Sequence, residues 1–87
     1  MMLSSNLPEL DLHGETSDIA RVLINDFVDT NYRSGIYRFV IVHGKGTGIL
    51  KKTTRETLKN NKLVYRFYIS NFNDGCTVVE LFNNNNY

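Results

Sequence analysis

The chain contains an apolar strand-like run that ends abruptly at a glycine-rich segment, and this junction limits the folds that are open to it. Residues 37–42 (YRFVIV) are aromatic or β-branched at every position but one, a pattern typical of a strand covered on both faces. Residues 43–48 (HGKGTG) then alternate glycine with polar residues and end the strand. This junction predicts a polar loop at the carboxyl end of a buried strand.

Strand-like and helix-like segments alternate on either side of this junction. Residues 9–12 form a candidate first strand, and residues 64–70 and 76–81 form two later ones. Turn-forming residues at 71–75 predict a hairpin between the last two strands. A polar helix is expected between the glycine-rich segment and the third strand, at about residues 49–60.

The segment between the first two strands predicts an amphipathic helix. Thr16 or Ser17 is the expected N-cap, Asp18 suits the positive end of the helix dipole, and Gly35 is the expected stop. One side of the helical wheel is apolar and comprises Ile19, Ala20, Leu23, Ile24, Phe27 and Val28. The element order is therefore β-α-β-α-β-β, an α/β fold. Strands joined through helices should be parallel, and the last two strands antiparallel.

Both histidines of the chain lie where a ligand is expected. An open sheet of this kind binds its ligand beyond the carboxyl ends of its parallel strands. Here that edge consists of residues 12–14 after the first strand and residues 43–48 after the second. The topology therefore predicts that His13 and His43 belong to one site.

A glycine-rich turn that opens a helix is a favourable anion site, because the first N–H groups of the helix are free and the dipole attracts negative charge. Glycines at 44, 46 and 48 allow the backbone to approach a ligand closely, and Lys45 adds a cation. The spacing fails the P-loop pattern, since Lys51 stands in place of its second glycine, and it fails the dinucleotide fingerprint as well. A loop that is rich in glycine only in order to turn tightly is the alternative that these residues leave open.

The charge is distributed unevenly, although the net charge is only +1. Residues 1–30 contain six acids and one base, whereas residues 43–66 contain seven bases and one acid. The bases of the second helix are Lys51, Lys52, Arg55 and Lys59. Three of them recur at four-residue intervals and form a stripe that leads away from the glycine-rich segment. Such a stripe suits a polymeric anion such as DNA or RNA, with a merely solvated surface as the alternative.

Length and composition restrict the class of protein. The 87 residues suit one domain, and we expect an N-terminal extension at 1–8, the domain at 9–82 and a frayed polar tail at 83–87. No segment approaches the roughly 20 continuous apolar residues of a membrane span, and the first residues lack the features of a signal peptide. Cys76 is the one cysteine, so no internal disulfide can form and a cytoplasmic location is expected.

Three segments together resemble the Smr (small MutS-related) domain family. Residues 10–14 (LDLHG) and 43–50 (HGKGTGIL) look like the two signature motifs, and residues 75–81 (GCTVVEL) are similar to the last strand of the family. The resemblance covers about residues 9–82. It implies a two-layer α/β sandwich like the C-terminal domain of translation initiation factor three. Its sheet is four-stranded and mixed, with the last strand inserted antiparallel.

The resemblance also implies nucleic-acid binding, with DNA-nicking or RNA endonuclease activity. Asp11 and His13 match the first motif and His43 matches the second, which makes these three the candidate catalytic residues. One histidine would act as general acid or base, and Asp11 would orient a histidine or help to hold a divalent ion. The candidate nucleic-acid-binding residues are Gly44, Lys45, Gly46, Thr47, Gly48, Lys51, Lys52 and Arg55.

The chemistry and the partners leave several alternatives. Metal sites of nucleases normally contain two or three carboxylates, whereas this edge of the sheet offers Asp11, with Glu15 the one other acid nearby. The sequence therefore argues against a two-metal mechanism. A single Mg²⁺ or Mn²⁺ ion stays an open question, and no other cofactor is implied. A non-catalytic module that binds nucleic acid or the ribosome and a small-molecule phosphate binder are the alternative functions. We expect DNA or RNA as the partner, no membrane contact, and a monomer for the isolated domain with its oligomeric state open.

Overall fold

The computed structural model describes residues 6–83, so the expected polar tail lies almost wholly outside the described residues. Six elements follow one another: β1 (Glu9–Asp11), α1 (Ser17–Arg33), β2 (Arg38–Val42), α2 (Ile49–Lys59), β3 (Val64–Ile69) and β4 (Cys76–Leu81). The predicted order β-α-β-α-β-β is confirmed. The first three strands are each one residue shorter than expected, and β4 has its expected limits.

The sheet is four-stranded and mixed, with the strand order β1-β2-β4-β3. The first two strands are parallel, and Leu10 lies opposite Ile41. The last strand is inserted between β2 and β3 and runs antiparallel to both, so that Val79 lies opposite Phe39 on one side and Phe67 on the other. The expected insertion of the last strand is therefore confirmed.

The core lies between one face of the sheet and the two helices, which gives a two-layer sandwich. Buried side chains from every layer form one cluster: Leu12, Ala20, Ile24, Val28, Phe39, Ile41, Leu58, Val79 and Leu81. The ring of Phe39 packs edge-on against that of Phe27 at a centroid distance of 5.1 Å, an arrangement that aromatic quadrupoles favour. Side chains alternate across a strand, so Val40 and Val78, which lie opposite each other, belong to the other face.

Helix α1 begins and ends as its sequence predicts. The N-cap is Thr16, whose hydroxyl accepts a hydrogen bond from the N–H of Ile19 at 3.3 Å. At the other end Gly35 adopts a φ of +75° and donates to the carbonyl of Tyr32, while the next residue, Ile36, donates to that of Asn31. These two bonds form a Schellman motif. The expected apolar face is wrong at Ile19, which is 49% exposed because it lies in the first turn at the edge of the core.

No helix within residues 6–83 combines the length and the hydropathy that a membrane-spanning segment needs.

Candidate functional site

A cleft opens at the edge of the sheet where β1 and β2 both end. Its volume is about 460 Å³, which is within the usual range for ligand sites. The lining residues are Asp11, His13, Gly14, Val42, His43, Gly44, Lys45, Gly46, Thr47, Gly48 and Leu50. The structure therefore brings together both histidines, Asp11 and the whole segment 43–48, which we call the glycine loop.

The glycine loop has a backbone that presents unpaired N–H groups. Gly44 and Gly48 adopt φ angles of +76° and +87°, a region that is costly for residues with a side chain. Gly48 is also the N-cap of α2, so the helix starts directly at the loop. The hydroxyl of Thr47 accepts from the N–H of Ile49, whereas the N–H groups of Gly46 and Gly48 have no acceptor within residues 6–83. An anion in the cleft can supply those acceptors.

The turn between β3 and β4, residues 71–75, packs against the glycine loop. We call it the hairpin turn. The carbonyl of Gly75 accepts hydrogen bonds from the N–H groups of His43 and Gly44, each at 2.9 Å. Gly75 is buried, and a Cβ at this position would lie only 3.3 Å from backbone atoms of Gly44. The hairpin turn therefore fixes the conformation of the first half of the loop.

The ring of His43 points into the protein and is only 5% exposed. Its Nδ1 lies 3.1 Å from the Gly44 carbonyl and its Nε2 lies 2.8 Å from the hydroxyl of Thr77. A carbonyl only accepts, so we assign the neutral tautomer: Nδ1–H donates to Gly44, and Nε2 accepts from Thr77. Burial lowers the pKa of His43 below its ordinary value, and the positive charge of Lys51 adds to the effect. Both ring nitrogens are thus engaged, since Nε2 joins the loop to β4 and Nδ1 makes a bond within the loop.

His13 also lines the cleft, and it is exposed. The carboxylate of Asp11 accepts a hydrogen bond from the backbone N–H of His13 at 2.9 Å. Asp11 therefore orients the backbone of His13 and not its ring. The imidazole of His13 has no hydrogen-bond partner in the described part of the chain, so it is the ring that is available to a ligand.

The basic residues divide between two cavities. Lys45 lines the cleft, and its Nζ lies 3.3 Å from the carboxylate of Asp74 in the hairpin turn. Lys51 and Arg55 line a second cavity of about 230 Å³ between α2 and β3, whose wall also includes Thr77. Because Thr77 bonds to His43, the second cavity lies directly behind the His43 side of the cleft. Lys52 is exposed and lines neither of these two cavities.

The acidic residues do not gather at the cleft. No group of three or more His, Cys, Asp or Glu side chains within residues 6–83 is placed to hold a metal ion. Asp11 is the carboxylate in the cleft lining, and one of its oxygens is already bonded to the His13 N–H. This donor set does not fit a resident metal ion.

Three residues that support the site were not expected from the sequence: Asp74, Gly75 and Thr77. The first two lie in a turn whose composition indicates only turning. The hydroxyl of Thr77 reaches His43 because β4 lies beside β2, with Thr77 opposite Ile41. No local signal predicts such a contact between residues so far apart in the chain.

A comparison with protein-family models matches residues 10–81 to the Smr domain. The chain is 39% identical over 75 residues to Endonuclease MutS2 of Caldicellulosiruptor saccharolyticus, and 41% identical over 76 residues to Endonuclease MutS2 of Geobacillus sp.. The alignments cover 83% and 84% of this chain but 10% of each relative. The chain thus spans about a tenth of the length of these curated relatives.

Solved structures have the same architecture. The Smr domain of Thermus thermophilus MutS2 superimposes with a TM-score of 0.85 at 31% identity and covers 88% of this chain and 100% of its own. YdaL of Escherichia coli, a stand-alone small MutS-related protein, superimposes with a TM-score of 0.81 at 20% identity, over 90% of this chain and 69% of its own. The second likeness concerns the fold alone.

Proposed function

The chain belongs to the Smr domain family, and we propose that it is a nucleic-acid-binding domain that nicks DNA or cleaves RNA at the cleft. The observation that carries this proposal is the composition of the cleft, whose lining combines an available imidazole with a glycine loop that has unpaired N–H groups. The names of the relatives, which are endonucleases, support the reaction type.

Binding of the backbone is assigned to the glycine loop. A phosphate oxygen would accept hydrogen bonds from the N–H groups of Gly46 and Gly48, where the start of α2 adds the favourable end of the helix dipole. Lys45 would add a charge-assisted hydrogen bond. Lys51 and Arg55 lie in the neighbouring cavity and would contact a following phosphate, since a polymer continues beyond one site.

The chemical step is assigned to His13. Its neutral imidazole would accept the proton of the attacking hydroxyl, from water or from a neighbouring 2′-OH of RNA. The attacking oxygen forms a bond to phosphorus while the bond to the leaving oxygen breaks, and that oxygen then takes up a proton. The loop N–H groups and Lys45 would stabilise the charge that develops on the phosphate oxygens. His43 is a positioning residue in this scheme, because both of its ring nitrogens hold the loop.

Nicking of supercoiled plasmid and cleavage of end-labelled RNA test the proposal. Each assay compares the wild-type chain with His13→Ala and His43→Ala, in EDTA and in buffers with Mg²⁺ or Mn²⁺. Loss of a general acid or base typically reduces a rate by about 10²- to 10⁴-fold, and we expect such a loss in His13→Ala with nucleic-acid affinity retained. His43→Ala should lose affinity as well as cleavage.

Binding is tested separately from cleavage. The affinity for DNA or RNA should fall steeply with salt, and Lys45→Ala should reduce the slope of log K against log salt by about 0.9 for duplex DNA, the value for one phosphate contact. Lys62→Ala is the matched control, since Lys62 is exposed and follows the far end of α2. Wild-type protein that binds nucleic acid but leaves every substrate intact in all three buffers would refute cleavage and leave a binding module. A shallow salt slope would instead indicate a small phosphate ligand.

A further inference from the structure

Phe72 is an aromatic residue without a structural task in the fold. It is 79% exposed, more than any other large hydrophobic residue in the described chain. The other exposed aromatic rings have neighbours, since Tyr65 packs against Phe82 at a centroid distance of 5.3 Å. No ring contact involves Phe72 within residues 6–83. Its neighbours, Asn71, Asn73 and Asp74, are the polar residues that a turn favours, so turn chemistry does not explain a phenylalanine here.

The position of Phe72 is nevertheless fixed by hydrogen bonds. Its N–H donates to the hydroxyl of Ser70 at 3.2 Å, and the N–H of Ser70 donates to the carbonyl of Cys76 at 3.0 Å. On the other side of the turn, the side-chain oxygen of Asn73 accepts from the N–H of Gly75 at 2.9 Å. The ring is therefore presented to solvent by an ordered turn and not by a loose one.

The hairpin turn places this ring beside the phosphate-binding backbone. Gly75 contacts Gly44 directly and accepts from its N–H. Phe72 lies three positions before Gly75, so their Cα atoms lie at most about 11 Å apart even if the chain were extended. The carboxylate of Asp74, between them, pairs with Lys45 of the loop. This separation is short enough for a nucleotide whose phosphate lies on the loop, or for the next nucleotide along, to extend its base to the Phe72 ring.

We propose that Phe72 is a stacking platform for an unpaired nucleobase and that the cleft therefore prefers single-stranded or unpaired segments to continuous duplex. This inference rests on the proposed function. Every base has a π-face that an aromatic ring can cover, and stacking of this kind is tolerant of sequence. The bases of a continuous duplex are already stacked and cannot offer that face.

The test uses three probes of about ten nucleotides, a length within the site sizes of single-strand-binding domains: a single strand, its duplex, and an abasic strand with the same phosphates. Phe72→Ala should bind the single strand about 5- to 150-fold more weakly than wild type, and it should bind the abasic strand and the duplex as wild type does. Tyr65→Ala is the matched control, since Tyr65 is an exposed aromatic residue near the other end of β3, and it should bind all three probes normally. Lys45→Ala should weaken all three.

Tryptophan gives a direct readout, because the chain contains none. Phe72→Trp should retain single-strand affinity, and its emission should be quenched by the single strand but not by the abasic strand. Unchanged emission on binding, or a Phe72→Ala variant with wild-type affinity for the single strand, would overturn the inference and leave the proposed function intact. Wild-type protein that binds none of the probes would overturn both.

Discussion

Gly48→Ala offers a test of how the glycine loop is built. Gly48 has a φ of +87° as the N-cap of α2, and a Cβ added there would meet no atom within 4 Å. The cost of the alanine therefore comes from the backbone alone, about 1–2 kcal/mol for a left-handed conformation. A loss of 1 kcal/mol lowers the Tm of a domain of 60–100 residues by about 4–8 °C. We expect a Tm that is lower by roughly 4–16 °C, measured by circular dichroism.

Gly46→Ala is the matched control for this prediction. Gly46 lies in the same loop, its φ is not positive, and a Cβ there also meets nothing within 4 Å. The protein should therefore keep its Tm to within about 2–4 °C, since an unstrained surface change costs less than about 0.5 kcal/mol. Its new methyl group would project into the space that a phosphate needs, so binding should weaken. Equal losses of Tm in the two variants would refute the claim that the positive φ of Gly48 causes the loss of stability.

Three further predictions concern the surroundings of the cleft. Burial lowers the pKa of His43, so the folded protein binds this proton more weakly than the unfolded chain. The free energy of unfolding, measured by urea titration, should then fall as the pH drops below about 6.5, by at most about 1.4 kcal/mol per pH unit. The fall should be smaller in His43→Gln, and an equal fall would contradict this cause. Asp74→Asn frees Lys45 from an exposed ion pair, so oligonucleotide binding, measured by fluorescence anisotropy, should tighten about 2- to 5-fold. Unchanged or weaker binding would contradict this role of the ion pair. Thr54 has a buried hydroxyl without a hydrogen-bond partner within residues 6–83, so Thr54→Val should raise the free energy of unfolding by about 1 kcal/mol in urea titrations, and a loss of stability would count against it.

The elements of this fold could be predicted from local sequence because each has a local physical cause. Helix α1 starts at a hydroxyl that caps it and ends at a glycine in the left-handed region. The last two strands flank a segment of turn formers. The common edge of β1 and β2 follows from one rule, that strands joined through a helix are parallel, and this rule alone places His13 and His43 in one cleft.

The environment of each histidine could not be predicted in the same way. Whether His43 is buried depends on the strand beside β2, and that strand is β4, which comes last in the chain. The pairing of β2 with β4 brings Thr77 to the ring and Gly75 to the loop. These contacts join residues that lie more than 30 positions apart in the chain; His43 and Thr77 are 34 positions apart. Periodicity and turn chemistry carry no information at that distance.

The unequal settings of the two histidines argue for a division of tasks. To take a proton from a substrate, His43 would have to give up its bond with Thr77 or its bond with the Gly44 carbonyl. Leaving a buried group unpaired costs about 1–3 kcal/mol. The bond to the Gly44 carbonyl also holds the loop in its conformation. His13 pays no such cost, because its ring is exposed and its backbone is already fixed by Asp11. Removal of His13 should therefore affect the chemical step alone, whereas removal of His43 should disturb the loop that binds the phosphate.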